Sequence, residues 1–273
     1  MTVAIGLVCA DGVVVASDSM SSSGGVARRG QKVHAMQHLP VVWTASGSVY
    51  VIEEVEQALG TLDTEANSRA TVRASFTTPR LLEVRANLGD CVRAKMRECY
   101  ATLMPGYGMR QDPHGVQIHP FGTDFLLLGF GGGTPYFLEI AHDGQLNWHH
   151  DAGFYAVGSG GEFASVAQTL MAPYMEGEDL LVELGLQLAY RTIANTIEVS
   201  SKYVGYPVRL AVVDGGGARV LDDGDVERVK QAVEGSMKIE AETLRKKPGG
   251  EPEPLEELPT IIEDEPVPRE GGP

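Results

Sequence analysis

Residues 2–18 read TVAIGLVCADGVVVASD. Val3 to Val8 is a β-branched and aliphatic run, and Val13 to Ser17 is a second one. Ala10-Asp11-Gly12 stands between them. Asp-Gly between two such runs is a strong hairpin signal, because Gly tolerates the positive φ of the tight turn. The stretch therefore predicts an antiparallel pair that begins almost at the amino end and delivers Asp18 to the end of its second strand. Going outward, Ser19 to Gly30 is small, polar and Gly-rich, which reads as a loop or flexible hairpin. Lys32 to Met36 and Val41 to Ala45 read as another strand pair, turning at His38-Leu39-Pro40.

Beyond Gly47 the period changes. Val49, Ile52, Val55 and Leu59 recur at helical spacing, with Glu53, Glu54 and Glu56 between them. Thr61 to Thr78 reads as a polar connection. Pro79 to Met104 reads as a longer helix, with Pro at its start, and Pro105 to Gly122 as a loop. Phe125 to Phe130, Pro135 to Ile140 and Gly153 to Val157 are short apolar strands. Glu162 to Met171 and Leu180 to Val199 are helices. Val208 to Val213 and Ala218 to Leu221 form a last hairpin, and Asp223 to Lys247 is a charged amphipathic helix. Hairpins separated by grouped helices do not fit a parallel βαβ fold. They predict an α+β, four-layer αββα sandwich, two antiparallel sheets between helix layers.

The domain so predicted spans residues 2–247. Residues 248–273 form an acidic, Pro- and Gly-rich tail, which cannot bury enough apolar surface to offset its ordering entropy and is expected to be disordered and solvated. Leu255, Leu258, Ile261 and Ile262 are its apolar exceptions, and they leave a short docking motif open as the alternative. The chain has 273 residues and a net charge of −15. Eight acids against Arg269 place −7 of that charge between Glu251 and Pro273. Such a balance argues against nucleic acid as a partner, since phosphate needs Lys and Arg. No run of 18 apolar residues suggests a membrane span. Cys9, Cys91 and Cys99 are an odd, sparse set that fits a reducing, cytoplasmic setting. No cluster of Cys and His suggests a metal, and no cofactor is expected.

The chemistry concentrates near the amino end. Thr2 follows the initiator Met, and aminopeptidase removes Met before small residues. A threonine hydroxyl needs a base, and a free α-amino group with a pKa near about 8 can serve. Alone, a second-position Thr is a weak signal. It is joined by Asp18 at the end of the second strand, by Lys32 in Lys32-Val33-His34-Ala35-Met36, and by Thr44-Ala45-Ser46-Gly47, where a strand runs into a Gly before a helix. Arg28 and Arg29 compete with Lys32 but lack the apolar pattern after them.

This ordered set resembles proteasome β-subunits and their bacterial relatives, which are N-terminal nucleophile (Ntn) hydrolases. The resemblance covers most of residues 2–213. It implies that Thr2 is the nucleophile, that Lys32 lowers the local pKa, that Asp18 holds Lys32, and that the Gly47 N–H forms the oxyanion hole. Ala45 and Met20 would line the substrate pocket. Tyr155-Ala156-Val157-Gly158-Ser159-Gly160-Gly161 resembles the family's Gly-Ser-Gly, with Ser159 beside the Thr amine. Glu198-Val199-Ser200-Ser201 stands where the family has Asp-x-x-Ser. Ser201 matches, Glu198 departs from the usual Asp, and Lys202 replaces the following Gly. The resemblance implies a threonine endopeptidase acting on peptides or unfolded proteins. It also implies a homo-oligomeric ring and an ATPase unfoldase as partner. The alternatives are a catalytically silent ring subunit and an Ntn amidase or transpeptidase with a specific substrate.

Overall fold

A computed structural model describes residues 2–23, 26–77, 80–107, 110–111, 117–118, 121–131, 133–149, 153–171, 180–200 and 204–245. The opening hairpin is β1 (Ala4–Cys9) and β2 (Gly12–Ser17), paired from Ala4 opposite Ser17 to Cys9 opposite Gly12. The small polar stretch after it is a hairpin, β3 (Met20–Ser23) with β4 (Val26–Arg29). Next come β5 (Val33–Ala35) and β6 (Val41–Ser46), which turn back on each other as expected.

The helical region is longer than the spacing predicts. α1 runs Val49–Ser68 and α2 Ala70–Thr77, so the segment read as a polar connection is helical. Its polar look came from exposed faces, while Ala66, Phe76 and the carboxylate of Asp63 are buried. Asp63 accepts hydrogen bonds from the backbone N–H groups of Gln37, His38 and Leu39. It therefore holds the turn between β5 and β6 instead of facing water. The single long helix expected next is divided into α3 (Leu81–Val84), a π-helical turn (Arg85–Gly89) and α4 (Asp90–Leu103).

Two short strands, β7 (Arg110–Gln111) and β8 (Gln117–Ile118), precede β9 (Asp124–Gly131) and β10 (Thr134–Ile140). β11 (Leu146–Trp148) is too short to have been legible, and β12 (Phe154–Val157) follows. The chain continues through α5 (Gly161–Met171), α6 (Val182–Val199), β13 (Arg209–Asp214), β14 (Gly217–Val220) and α7 (Asp223–Arg245).

The strands build two five-stranded sheets, ordered β12-β1-β2-β13-β14 and β11-β10-β9-β6-β5, with every pair antiparallel. Side chains alternate between faces along a strand, and here both faces are apolar. Ile5, Leu7, Val14, Ala16, Leu210 and Val212 pack under α5, α6 and α7. Ala4, Val13, Val15, Ala211 and Val213, one position out of step, meet Val42, Leu126, Leu128 and Phe137 of the other sheet. That sheet's outer face, with Trp43, Phe125, Leu127 and Leu138, packs under α1 to α4. The order of layers is helix, sheet, sheet, helix, the αββα architecture expected from the sequence. Cys9 is a buried member of the first core, its thiol pushed up to about 12 by burial and by Asp11. All three cysteines are free thiols.

Candidate active site

The register of β1 and β2 sets the site. Val3, just before β1, exchanges contacts with Asp18, just after β2. Asp18 N–H donates to Val3 O at 3.1 Å, and Val3 N–H donates to Asp18 Oδ1 at 3.1 Å. The Asp18 side chain is therefore locked beside Thr2. It is fully buried, and a carboxylate taken out of water needs donors. It has four. Val3 N–H and Lys32 Nζ serve Oδ1, at 3.1 and 2.8 Å, while Met20 N–H and Gly205 N–H serve Oδ2, at 2.9 and 3.3 Å.

Lys32 arrives from the other sheet, one residue before β5. Its ammonium donates to Asp18 Oδ1, to the Met20 carbonyl and, at 3.1 Å, to Thr2 Oγ1. Burial of Lys32 pulls its pKa below the ordinary lysine value, and Asp18 opposes that pull. Among the described residues, three of the acceptors around this ammonium are Asp18, Met20 and Thr2. The geometry thus fits a charged Lys32 that gives one proton to the lone pair of Thr2 Oγ1.

Thr2 is itself 8% exposed. Its backbone nitrogen donates to Ser159 Oγ at 3.3 Å, and its carbonyl accepts the Gly160 N–H at 3.1 Å. The turn after β12 can wrap the residue this closely because it is glycine. Gly158 has φ +90°, and a Cβ there would stand 2.3 Å from Thr2 O. The same imaginary Cβ would lie 3.0 Å from Ser46 Oγ, so the end of β6 sits beside Thr2.

At that end, Gly47 has φ +137°, and a Cβ would stand 2.2 Å from Gly122 O. Only glycine fits this corner without strain. The corner is pinned from behind: Ser48 N–H donates to Thr123 Oγ1 at 3.1 Å, and the Thr123 hydroxyl donates to Phe121 O at 2.9 Å. An amide fixed at a strand-to-helix corner, exposed and held from below, is a suitable donor to a developing oxyanion.

The structure therefore brings Thr2, Asp18, Lys32 and Ser159 into one hydrogen-bonded cluster and sets Gly47 at its edge. Met20 contributes its carbonyl to Lys32, and its side chain packs at Gly205. Ala45 is buried among the side chains under α1 to α4. Glu198 is not with them. It is exposed on the last turn of α6, where Tyr206 Oη donates to it at 3.1 Å. The adjacent Ile197 takes the buried face of that helix, which turns Glu198 outward. Ser201 lies outside the described residues. Two contributors gave no sequence signal. Gly205 acts through its backbone and Thr123 through a hydroxyl in the loop before β9, and neither carries a motif.

No protein-family model matches the chain. Among curated proteins it is similar to the proteasome subunit beta of Methanocaldococcus vulcanius, at 25% identity over 249 residues, 90% of this chain and 96% of that one. The proteasome subunit beta of Methanocaldococcus jannaschii is 24% identical over 242 residues, 87% of this chain and 92% of that one. Among solved structures, Anbu (ancestral beta-subunit) from Yersinia bercovieri superposes with a TM-score of 0.63 at 15% identity, covering 91% of this chain and 98% of that one. The chain has a proteasome-like Ntn fold.

Proposed function

We propose that this chain is a threonine endopeptidase whose nucleophile, Thr2, is armed when Met1 is removed. The carrying observation is that both functional atoms of Thr2 are already held. Lys32 Nζ contacts Oγ1 and Ser159 Oγ contacts the nitrogen. With Met1 attached, that nitrogen is an amide and no base. Freed, it becomes an amine beside its own hydroxyl, the N-terminal variant of a nucleophile–base pair. Lys32 keeps its proton and donates to Oγ1, so the hydroxyl proton must leave toward the amine.

The steps follow. The Thr2 amine, acting through water, takes the hydroxyl proton, and Oγ1 attacks the peptide carbonyl. The Gly47 N–H receives the oxyanion, and the Lys32 charge steadies the alkoxide character of Oγ1. The tetrahedral intermediate collapses with protonation of the leaving amine, leaving an ester on Thr2. Water then attacks that ester, and the acid product departs with the hydroxyl restored.

The substrate is a peptide or unfolded protein. The setting is a cytoplasmic homo-oligomeric ring served by an ATPase unfoldase, for which the likeness to proteasome β-subunits is the support. Intact-mass analysis after treatment with a peptide epoxyketone or β-lactone tests the reading. The expected result is loss of Met1 and one adduct per chain, absent in Thr2→Ala. A chain that keeps Met1 and takes no adduct overturns it and leaves a catalytically silent ring subunit.

A further inference from the structure

Between α6 and α7 the surface opens into a groove of about 810 Å³, the size of an ordinary ligand cleft. Its floor is apolar, built from Ala194, Val208, Val226, Val233 and Met237. Its rim is charged and already ion-paired: Arg191 with Glu240, Arg209 with Asp223 and Lys230 with Glu227, beside Glu198 and Glu234. One wall is Tyr206-Pro207-Val208, the continuation of the segment whose Gly205 N–H holds Asp18.

We propose that this groove receives Leu255–Ile262 of the same chain. The argument is one of reach. α7 supplies one wall through Val226, Lys230, Val233 and Met237, spaced so that they form a single stripe, and the chain leaves that helix at Arg245. From Arg245 back to the level of Met237 and Val233 is 8 to 12 residues of helix, about 12–18 Å at 1.5 Å per residue. The nine residues from Lys246 to Pro254 are rich in Gly and Pro. At about 3.1 Å per residue, nine residues reach at most about 28 Å, more than that distance.

The linker is therefore long enough to span the gap, and a segment tethered by so short a linker has an effective concentration on the order of millimolar. At that concentration even a weak groove is filled by its own tail. The side chains match in kind. Leu255, Leu258, Ile261 and Ile262 are the apolar content of Leu255–Ile262, and the floor is where they would leave water. Glu256 and Glu257, between the first two, would face water. A docked tail would rest on Tyr206 and Pro207, and so on the segment that fixes the carboxylate under Lys32.

The test is a disulfide trap in the full chain, with Ala194→Cys and Leu258→Cys in a Cys91→Ser background, oxidised mildly and read by non-reducing gel and intact mass. The expected product is an intrachain disulfide formed at a rate independent of protein concentration. Met237→Asp, a change at a partly exposed position, should slow it at least tenfold, and so should Leu255→Asp with Ile261→Asp in the tail. A disulfide joining two chains, or a rate that rises with concentration, overturns the proposal in favour of a second copy as occupant. A rate no faster than that of Ala194→Cys with Gly271→Cys overturns it in favour of an undocked tail. The readout does not involve catalysis.

Discussion

Lys32 Nζ lies 3.1 Å from Thr2 Oγ1, although the two residues come from different sheets. Lys32 therefore places its ammonium at the Thr2 hydroxyl without belonging to the sheet that Thr2 leads into, and on the proposed mechanism it steadies the reacting oxygen. Replacing it by Met keeps most of the aliphatic stem and removes the charge. Loss of one preorganised donor costs about 10²–10³ in kcat, and the measurement is peptide hydrolysis with folding checked by circular dichroism. Lys32→Arg should not rescue, because a planar guanidinium cannot reproduce acceptors such as Asp18, Met20 and Thr2 converging on a single nitrogen.

Asp18 is a case for stability as well as rate. It is fully buried and serves Lys32 together with three backbone N–H groups. Asp18→Ala takes the carboxylate from a largely buried ammonium, and breaking such a pair from one side costs about 3–5 kcal/mol. Denaturant unfolding should show a loss of that order. Asp18→Asn, which keeps the shape and one oxygen, should cost less.

The lowered pKa of Lys32 gives opposite signs for rate and stability. Between the depressed folded value and the ordinary lysine value, the unfolded chain holds a proton that the folded chain has lost. Stability then rises with pH across that window. Hydrolysis should fall across the same window, because Lys32 loses the proton it donates to Thr2. Rate and melting temperature measured side by side up the alkaline limb check both, and Lys32→Met should abolish the stability rise.

Gly47→Ala places a methyl group against Gly122 O in a conformation that side chains rarely adopt. The strain costs about 1–3 kcal/mol, and the corner must shift to relieve it, carrying the amide away from the oxyanion. The expected signature is a fall in kcat larger than any change in KM. Thr123→Val removes the hydroxyl that accepts the Ser48 N–H and should lower kcat in the same sense, by less.

Asp63→Ala separates fold from chemistry. The Asp63 carboxylate accepts three backbone N–H groups at the turn between β5 and β6. Each donor left unsatisfied costs about 1–3 kcal/mol where burial is complete. The melting temperature should fall, while active-site labelling per folded molecule stays near that of the parent chain.

The legible parts of the fold were those with an unbroken pattern. The hairpin around Asp11-Gly12, the strand pair on either side of His38-Leu39-Pro40, and the paired helices after Val157 all combine an apolar period with a turn signal. What escaped detection had neither. The Thr61–Thr78 region looks polar because the helices it forms bury only one face, and because its most important carboxylate, Asp63, is satisfied by backbone that a sequence does not display. The site divides in the same way. Thr2, Asp18, Lys32 and Ser159 come together through strand ends whose positions the hairpins dictate. Glu198 sits on a helix where a shift of one residue exchanges inside for outside. Gly205 and Thr123 act through a backbone amide and a loop hydroxyl, for which residue type carries no advance notice.

The close packing at the first strand has a practical side. The Thr2 nitrogen rests on Ser159, and its carbonyl is covered by Gly158 and Gly160. An affinity handle fused ahead of that nitrogen would keep it an amide and would have to thread out past the same turn. On the proposed mechanism, protein prepared that way would look well folded and yet be inert, a preparation artefact easily mistaken for a property of the native chain.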